Sequence, residues 1–364
     1  MSAKTVLVRV LVGLGAIALI GCAVVAVSLV RGGALTSAAN ISPGQCAEIE
    51  IDIGSAEDIE IDKESGDVFL SVLDRRGIVS GEPVRGDIFS FNMNDSRMSV
   101  MSVLERIPDV FRPHGISIYR DQNGNQSLLV INHSPIDGES IEVFTRHSGD
   151  VLFSHSDTLT DQSLIEPNDI VAIGPRQFYV ANDSGATNGI GRAAEMLLAF
   201  GMSPLVYFDG VKFHVPVDDL KSSGGINANL KRRELYVGET IGKRIRIYDI
   251  SATGALGRLK DVIALDGGPD NISIDEDGSL WVANHINTLA LVKHFGDESQ
   301  LAPTQVQKVA FNETRAESPV TFFENEGEKI SAGSVGAVYL NKLAIGSITE
   351  NKILLCDLDL KAGS

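Results

Sequence analysis

The sequence predicts an all-β fold: a six-bladed β-propeller with ion sites on its axis, preceded by an N-terminal hydrophobic helix. Two observations carry this. From Cys46 onward the chain shows little helical periodicity, and short apolar runs are punctuated instead by Gly, Asp and Asn. Six of those runs share a looser repeat: a turn, a strand with a large apolar or aromatic residue, then a small or polar residue where the chain leaves it. They fall at 66–71, 127–132, 177–182, 234–239, 279–284 and 342–347. Their spacing of roughly 45 to 60 residues is that of four-stranded propeller blades. With 364 residues, 43% of them hydrophobic, the chain is long enough to bury a large core. No linker divides it, and the rival architecture is a pair of β-sandwich domains.

Taken in order, residues 1–36 form a separate N-terminal segment and 37–364 the propeller domain. Residues 10–30 are continuously apolar or small, with Lys4 and Arg9 before them and Arg31 after. That length spans a bilayer. The flanking charges favour a cytoplasmic N-terminus, which places the propeller on the extracytoplasmic side, periplasmic or extracellular. A cleaved signal peptide is the alternative, although the run exceeds the usual apolar region of one. Leu19-Ile20-Gly21-Cys22 also looks like a lipoprotein cleavage box, but Ala23 to Val30 stays apolar where a mature lipoprotein turns polar.

The other two cysteines, Cys46 and Cys356, lie at opposite ends of the soluble region. In an oxidising compartment they would tie those ends together; two unrelated buried thiols is the other reading. The formal net charge of −17 argues against nucleic acid as a partner, because phosphate binding needs a basic face and the sequence offers no such cluster.

Acids recur beside other acids or asparagines at what read as strand ends: Glu57-Asp58, Asn168-Asp169, Asn182-Asp183 and Asp270-Asn271. Adjacent strand residues face opposite sides, so one of each pair can serve an exposed cation and its neighbour a deeper one. Oxygen ligands of this kind suit a hard cation such as calcium. Each pair taken singly also reads as an ordinary turn. Among the seven histidines, His114 stands in Pro113-His114-Gly115-Ile116-Ser117 and His133 follows a strand, so His133 is placed to orient His114 or relay its proton; His285 is a further channel candidate. His147, His155, His214 and His294 read as surface residues. No Gly-x-Ser-x-Gly elbow, P-loop or dinucleotide fingerprint is present.

These segments, in this order from about Cys46 to Leu358, resemble the paraoxonases, calcium-dependent lactonases and arylesterases with a six-bladed propeller fold. The match is carried by Gly54 to Asp58, Phe111 to Ser117, Val130 to His133, Asn168 to Gly174, Asp270 to Asp275 and the stretch from Gly333 to Cys356. The resemblance implies two calcium ions. Glu57, Asn168, Asp270 and Asn271 would hold the catalytic one, while Asp58, Asp169 and the carbonyl of Ile116 would hold a deeper structural one. It implies a His114/His133 dyad, a Cys46–Cys356 disulfide and an uncleaved hydrophobic leader. It assigns no ligand role to Asn182-Asp183. One departure stands out, because the family's Asn-Gly-Ile-Asn segment is here Gly224-Gly225-Ile226-Asn227, which removes a ligating amide; Asn227 and Asn229 are the nearby candidates to replace it.

The expected activity is therefore hydrolysis of a lactone or aryl ester, with calcium polarising the carbonyl and the dyad activating water. The competing expectations are a membrane-tethered, non-catalytic calcium-stabilised propeller that binds a partner, which Gly224 favours, and a gluconolactonase-type hydrolase with another metal preference. Substrate size would be set by the loops at 75–100 and 183–205.

Overall fold

All six apolar segments become second strands, each in a different blade. The computed structural model describes residues 3–312 and 315–358; positions 1, 2, 313, 314 and 359–364 of the predicted segments lie outside the described residues. Among the described residues the strands form six four-stranded antiparallel sheets. The innermost strands are Ser55–Asp62, Pro113–Arg120, Pro167–Ala172, Ile226–Asn229, Gly268–Ile274 and Gly333–Tyr339. Each packs against the next and the last against the first, which closes a ring. Neighbouring blades bury one apolar cluster apiece between their faces; Phe69, Val130 and Phe144 fill one such seam, and Trp281, Phe323 and Leu343 another. Radial repetition of this kind leaves each blade only short edges, one at the axis and one at the rim.

Five blades run sequentially from axis to rim, and the sixth borrows its rim strand from the other end of the chain. There Cys46–Glu50 pairs with Lys352–Asp357, Cys46 opposite Cys356, and the two sulfurs are bonded across 310 residues. Cross-linking so long a loop removes chain entropy worth about 5 kcal/mol from the unfolded state. The Cys46→Ser/Cys356→Ser double variant is accordingly expected to lose up to about that stability in urea unfolding. An unchanged midpoint and slope would contradict a closing role for the bond.

At the opposite end of the channel wall, Asp62 joins the first two blades. Its carboxylate accepts from Arg120 Nε at 2.8 Å, Gln126 Nε2 at 2.6 Å and the Glu64 N–H at 3.0 Å. Burial alone would raise its pKa, but the Arg120 guanidinium and these bonds hold it below the ordinary aspartate value. A depressed folded pKa stabilises the fold above the unfolded pKa, and that stabilisation is lost as pH falls through the folded value. Asp62→Asn should thus cost about 1 kcal/mol at pH 7 and progressively less as the pH falls through its depressed folded pKa, a trend read from urea midpoints across an acid pH series.

Among the described residues of the propeller domain three helices escape the periodicity argument: Arg75–Val79, Gly189–Leu198 and Thr288–Gly296. All are short and capped by a side chain, Asp74, Asn188 and Asn287 respectively, each accepting from a backbone N–H three residues on. The latter two lie over the mouth of the channel. The N-terminal helix Ala3–Arg31 is long and apolar enough to cross a membrane, and none of Leu11–Arg31 is fully buried. Its last turn meets the helix Gly189–Leu198, where Arg31 Nη2 donates to Met196 O at 2.6 Å.

Candidate functional site

The acid and asparagine pairs reach the axis through β-bulges. In Ser55–Asp62 the register slips between Ala56 and Asp58, in Pro167–Ala172 between Pro167 and Asp169, and in Gly268–Ile274 between Pro269 and Ile272. Glu57, Asn168 and the pair Asp270-Asn271 are therefore the residues taken out of their ladders. Pro113–Arg120 slips in the same way around His114 and Gly115. A bulge re-aims the side chain it frees. These three pairs consequently stand at the starts of innermost strands and not at strand ends; only Asn182-Asp183 closes a strand, Phe178–Asn182.

Two glycines let the strand tops crowd the axis. A Cβ on Gly115 would lie 2.5 Å from Asn168 O, and one on Gly225 would lie 2.1 Å from Asp270 O, so any side chain at either position pushes a neighbouring blade away. This gives the Pro-His-Gly-Ile-Ser segment its physical meaning.

The upper layer borders a cavity of about 540 Å³ lined by Glu57, Arg75, His114, Asn168, Asp183, Thr240, Asp270 and His285, among others. A larger groove of about 850 Å³ lies on the outer side of the second blade around Glu105, Glu142 and His155, and contains none of the predicted ligands. In the axial cavity Glu57 Oε1 accepts from Asn271 Nδ2 at 2.9 Å, and Glu57 Oε2 lies 3.3 Å from His114 Nε2 and 3.7 Å from Arg75 Nη2. Asn168 Nδ2 donates to Asp183 Oδ2 at 2.9 Å, which turns the Asn168 oxygen the other way. Asp270 Oδ2 pairs with His285 Nε2 at 2.8 Å.

Beneath this layer Asp58 accepts from the N–H groups of Ile116, at 2.7 Å, and Ile59, at 2.8 Å; Asp169 accepts from those of Ile226 and Ile170, both at 2.7 Å. Burial pushes both carboxyls well above the usual range, reinforced by the Glu57 charge on Asp58 and the Asp58 charge on Asp169. Burial likewise raises Asp183 to about 7. Glu57 goes the other way: burial opposes its ionisation, but His114, Arg75 and Asn271 hold it at about 2. So many buried acids around one axis are a charge problem that a cation solves.

Six buried side-chain polar atoms lack a hydrogen-bond partner among the described residues, and three of them are Glu57 Oε2, Asn168 Oδ1 and Asn271 Oδ1. All three are oxygens of predicted ligands; Glu57 Oε2 has only the longer contacts to His114 and Arg75, and the two amide oxygens have no donor in a place where unpaired polar atoms are costly. No group of three His, Cys, Asp or Glu side chains among the described residues is close enough to chelate a metal. The donors that do converge are a mixture of carboxylate and amide oxygens, which suits calcium and not zinc or copper.

The histidines form a line leading out of the cavity. His114 Nδ1 lies 2.7 Å from His133 Nε2, and His133 Nδ1 lies 2.5 Å from Glu139 Oε2, a carboxylate 29% exposed. Burial lowers the His133 pKa despite Glu139, while the Glu57 charge outweighs burial at His114 and raises it. Glu139 and Arg75 have no sequence signal of their own, because only the folded hairpin sets Glu139 opposite His133 and only the fold turns Arg75 back onto Glu57; Asp270 and His285 were each candidates, but not as a pair. His294, expected at the surface, is buried and joins Arg76, Gln300 O and Thr349.

The Gly224 departure is not made good by either nearby asparagine. Asn227 spends its amide on Ile272 O, at 2.7 Å, and its oxygen on the Ala228 N–H; Asn229 caps Arg232 N at 3.0 Å.

Residues 38–358 match the family model described as Arylesterase. The chain is 31% identical to rat (Rattus norvegicus) serum paraoxonase/arylesterase 1 over 83% of its own length and 86% of the relative's. It is 30% identical to the human (Homo sapiens) protein of the same name, over 85% and 87%. Among solved structures, a gluconolactonase from Xanthomonas campestris superposes with a TM-score of 0.54 at 15% identity, covering 89% of this chain and 99% of the other. Regucalcin from Agrobacterium tumefaciens, titled a calcium-binding protein, superposes with a TM-score of 0.51 at 13% identity, over 88% and 94%. At those identities the two structures speak for the fold alone.

Proposed function

The chain belongs to the arylesterase family and is an esterase or lactonase, and from that premise we propose that it opens lactones and cleaves aryl esters with one catalytic and one structural calcium ion. Glu57, Asn168, Asp270 and Asn271 would hold the catalytic ion; Asp58, Asp169 and the Ile116 carbonyl would hold the structural one. The observation that carries this is the pair of buried, donorless amide oxygens on Asn168 and Asn271 beside the Glu57 carboxylate, all within the one axial cluster of acids. Calcium bound there supplies Lewis acidity, polarising the substrate carbonyl and stabilising the charge that develops on its oxygen.

The protein's own groups do the rest. His114 Nε2 lies 3.3 Å from Glu57 Oε2 and is free to act as general base when that oxygen is taken up by the cation, with His114 Nδ1–H donating to His133 Nε2 and His133 Nδ1–H to Glu139. In that tautomer the imidazole is fixed in direction and takes the proton of the attacking water, and the line of hydrogen bonds leads the charge toward the more exposed Glu139. Arg75, packed against Glu57, keeps that carboxylate ionised. Asp183 holds the Asn168 amide so that its oxygen, not its nitrogen, faces the axis.

The apolar N-terminal helix is read as an anchor with the propeller outside the cytoplasm, in keeping with the disulfide. Protease added to sealed, right-side-out membranes would then digest the propeller, whereas protection would contradict that orientation. The second functional reading, a tethered scaffold without turnover, draws on Gly224 alone. A panel of lactones and aryl esters separates the two: turnover that vanishes on chelation and returns with calcium supports the enzyme, and a folded, calcium-binding protein inert to every substrate supports the scaffold.

A further inference from the structure

We infer that the hydroxyl of Thr240 takes the place of the missing asparagine amide as an oxygen donor to the axial cation, so that Gly224 and Thr240 form a matched pair. This rests on the calcium reading above and says which residue of this chain completes the ligand set. A Cβ built on Gly224 would lie 2.7 Å from Thr240 Oγ1 and 3.2 Å from both Asp270 Oδ1 and Pro269 O. The threonine hydroxyl therefore stands at the entrance to the space a side chain at 224 would occupy, beside the Asp270 carboxylate.

Thr240 is placed there by its backbone and by a second glycine. Its N–H donates to Ser222 O at 2.7 Å, and a Cβ on Gly268 would lie 2.5 Å from Thr240 O, so the segment is wedged between two positions that carry no side chain. The hydroxyl donates its only hydrogen to Pro269 O at 2.7 Å. With the hydrogen committed, its lone pairs remain as acceptors, which is the character a calcium ligand needs. Asn227 and Asn229 are engaged elsewhere as described, and Asp183 holds the Asn168 amide with Oδ2 and the Ser222 hydroxyl with Oδ1, at 3.4 Å. Independent of this geometry, the buried amide oxygens of Asn168 and Asn271 at the same axial cluster have no donor, which marks the place as one built for a cation.

The test uses the full chain in detergent, stripped of metal, with calcium titrated calorimetrically and terbium(III) luminescence lifetimes in H2O and D2O counting the waters on the ion. Thr240→Val, which keeps the shape and removes the oxygen, should weaken the weaker of the two calcium sites by about tenfold or more and admit one further water. Thr240→Ser should bind within a few-fold of the parent. Gly224→Asn combined with Thr240→Ala restores an amide and the room for it, and should recover the lost affinity. Thr240→Val that binds like the parent would overturn the inference, as would weakened binding with an unchanged water count, since that pattern belongs to a purely structural hydroxyl. A parent chain that binds no calcium would instead remove the calcium reading and this inference with it.

Discussion

Asp270→Ala is expected to lower calcium-dependent lactone turnover by about a thousandfold, the equivalent of about 4 kcal/mol of transition-state stabilisation. The substitution takes a charged oxygen from the cavity and leaves His285, buried at 8% exposure, without its partner. The proposed catalytic ion would lose its second carboxylate, since Glu57 is the only other acid among its four expected ligands. The same variant should lose the share of thermal stabilisation that the catalytic ion confers on the parent, which linkage puts at about 4 kcal/mol when calcium exceeds that site's Kd a thousandfold, and keep the share that belongs to the structural ion. Differential scanning calorimetry with and without calcium, run beside the kinetics, checks both halves. Retention of turnover with loss of calcium stabilisation would assign Asp270 to structure only.

His114→Gln is expected to lower kcat by about a hundredfold to a thousandfold while calcium affinity stays within a few-fold of the parent. The imidazole lies 3.3 Å from Glu57 Oε2 but is not one of the expected ligands, so its removal should separate proton transfer from metal binding. His133→Gln should have a smaller effect, about tenfold, because it orients His114 without touching water, and Glu139→Gln a smaller one still. That descending order is the signature of a line whose first member does the chemistry. Equal loss of turnover and calcium binding in His114→Gln would place His114 among the ligands and not at the base.

How far the sequence discloses this arrangement depends on distance along the chain. The second strands of the blades were legible because each carries its own local pattern; Phe178–Asn182 and Leu280–His285 are apolar runs that end in polar residues, and burial on both faces demands that composition. The acid and asparagine pairs were legible as residue types but not as bulges, because a register slip depends on the partner strand. Glu57 reaches the axis only because Ala56 and Asp58 keep their pairing with Asp67–Leu73 while it does not.

Relations across blades were out of reach for the same reason. Glu57 meets Asn271 across 214 positions, and nothing near Gly224 announces that Thr240 fills its space. The helix Gly189–Leu198 escaped because ten residues opening on Gly-Ile-Gly give too little periodicity to outweigh their glycines. The resemblance to the paraoxonases supplied what local chemistry did not, the joint assignment of remote residues to two ions. That assignment remains a proposal, to be tested residue by residue.

The most direct measurement is a calcium titration of the metal-stripped chain in which bound calcium and lactone turnover are followed together. Two ions should bind, and turnover should rise in step with occupancy of the weaker site, reaching its limit as that site fills. Full turnover in the metal-free protein, or two filled sites with no turnover, would contradict the account.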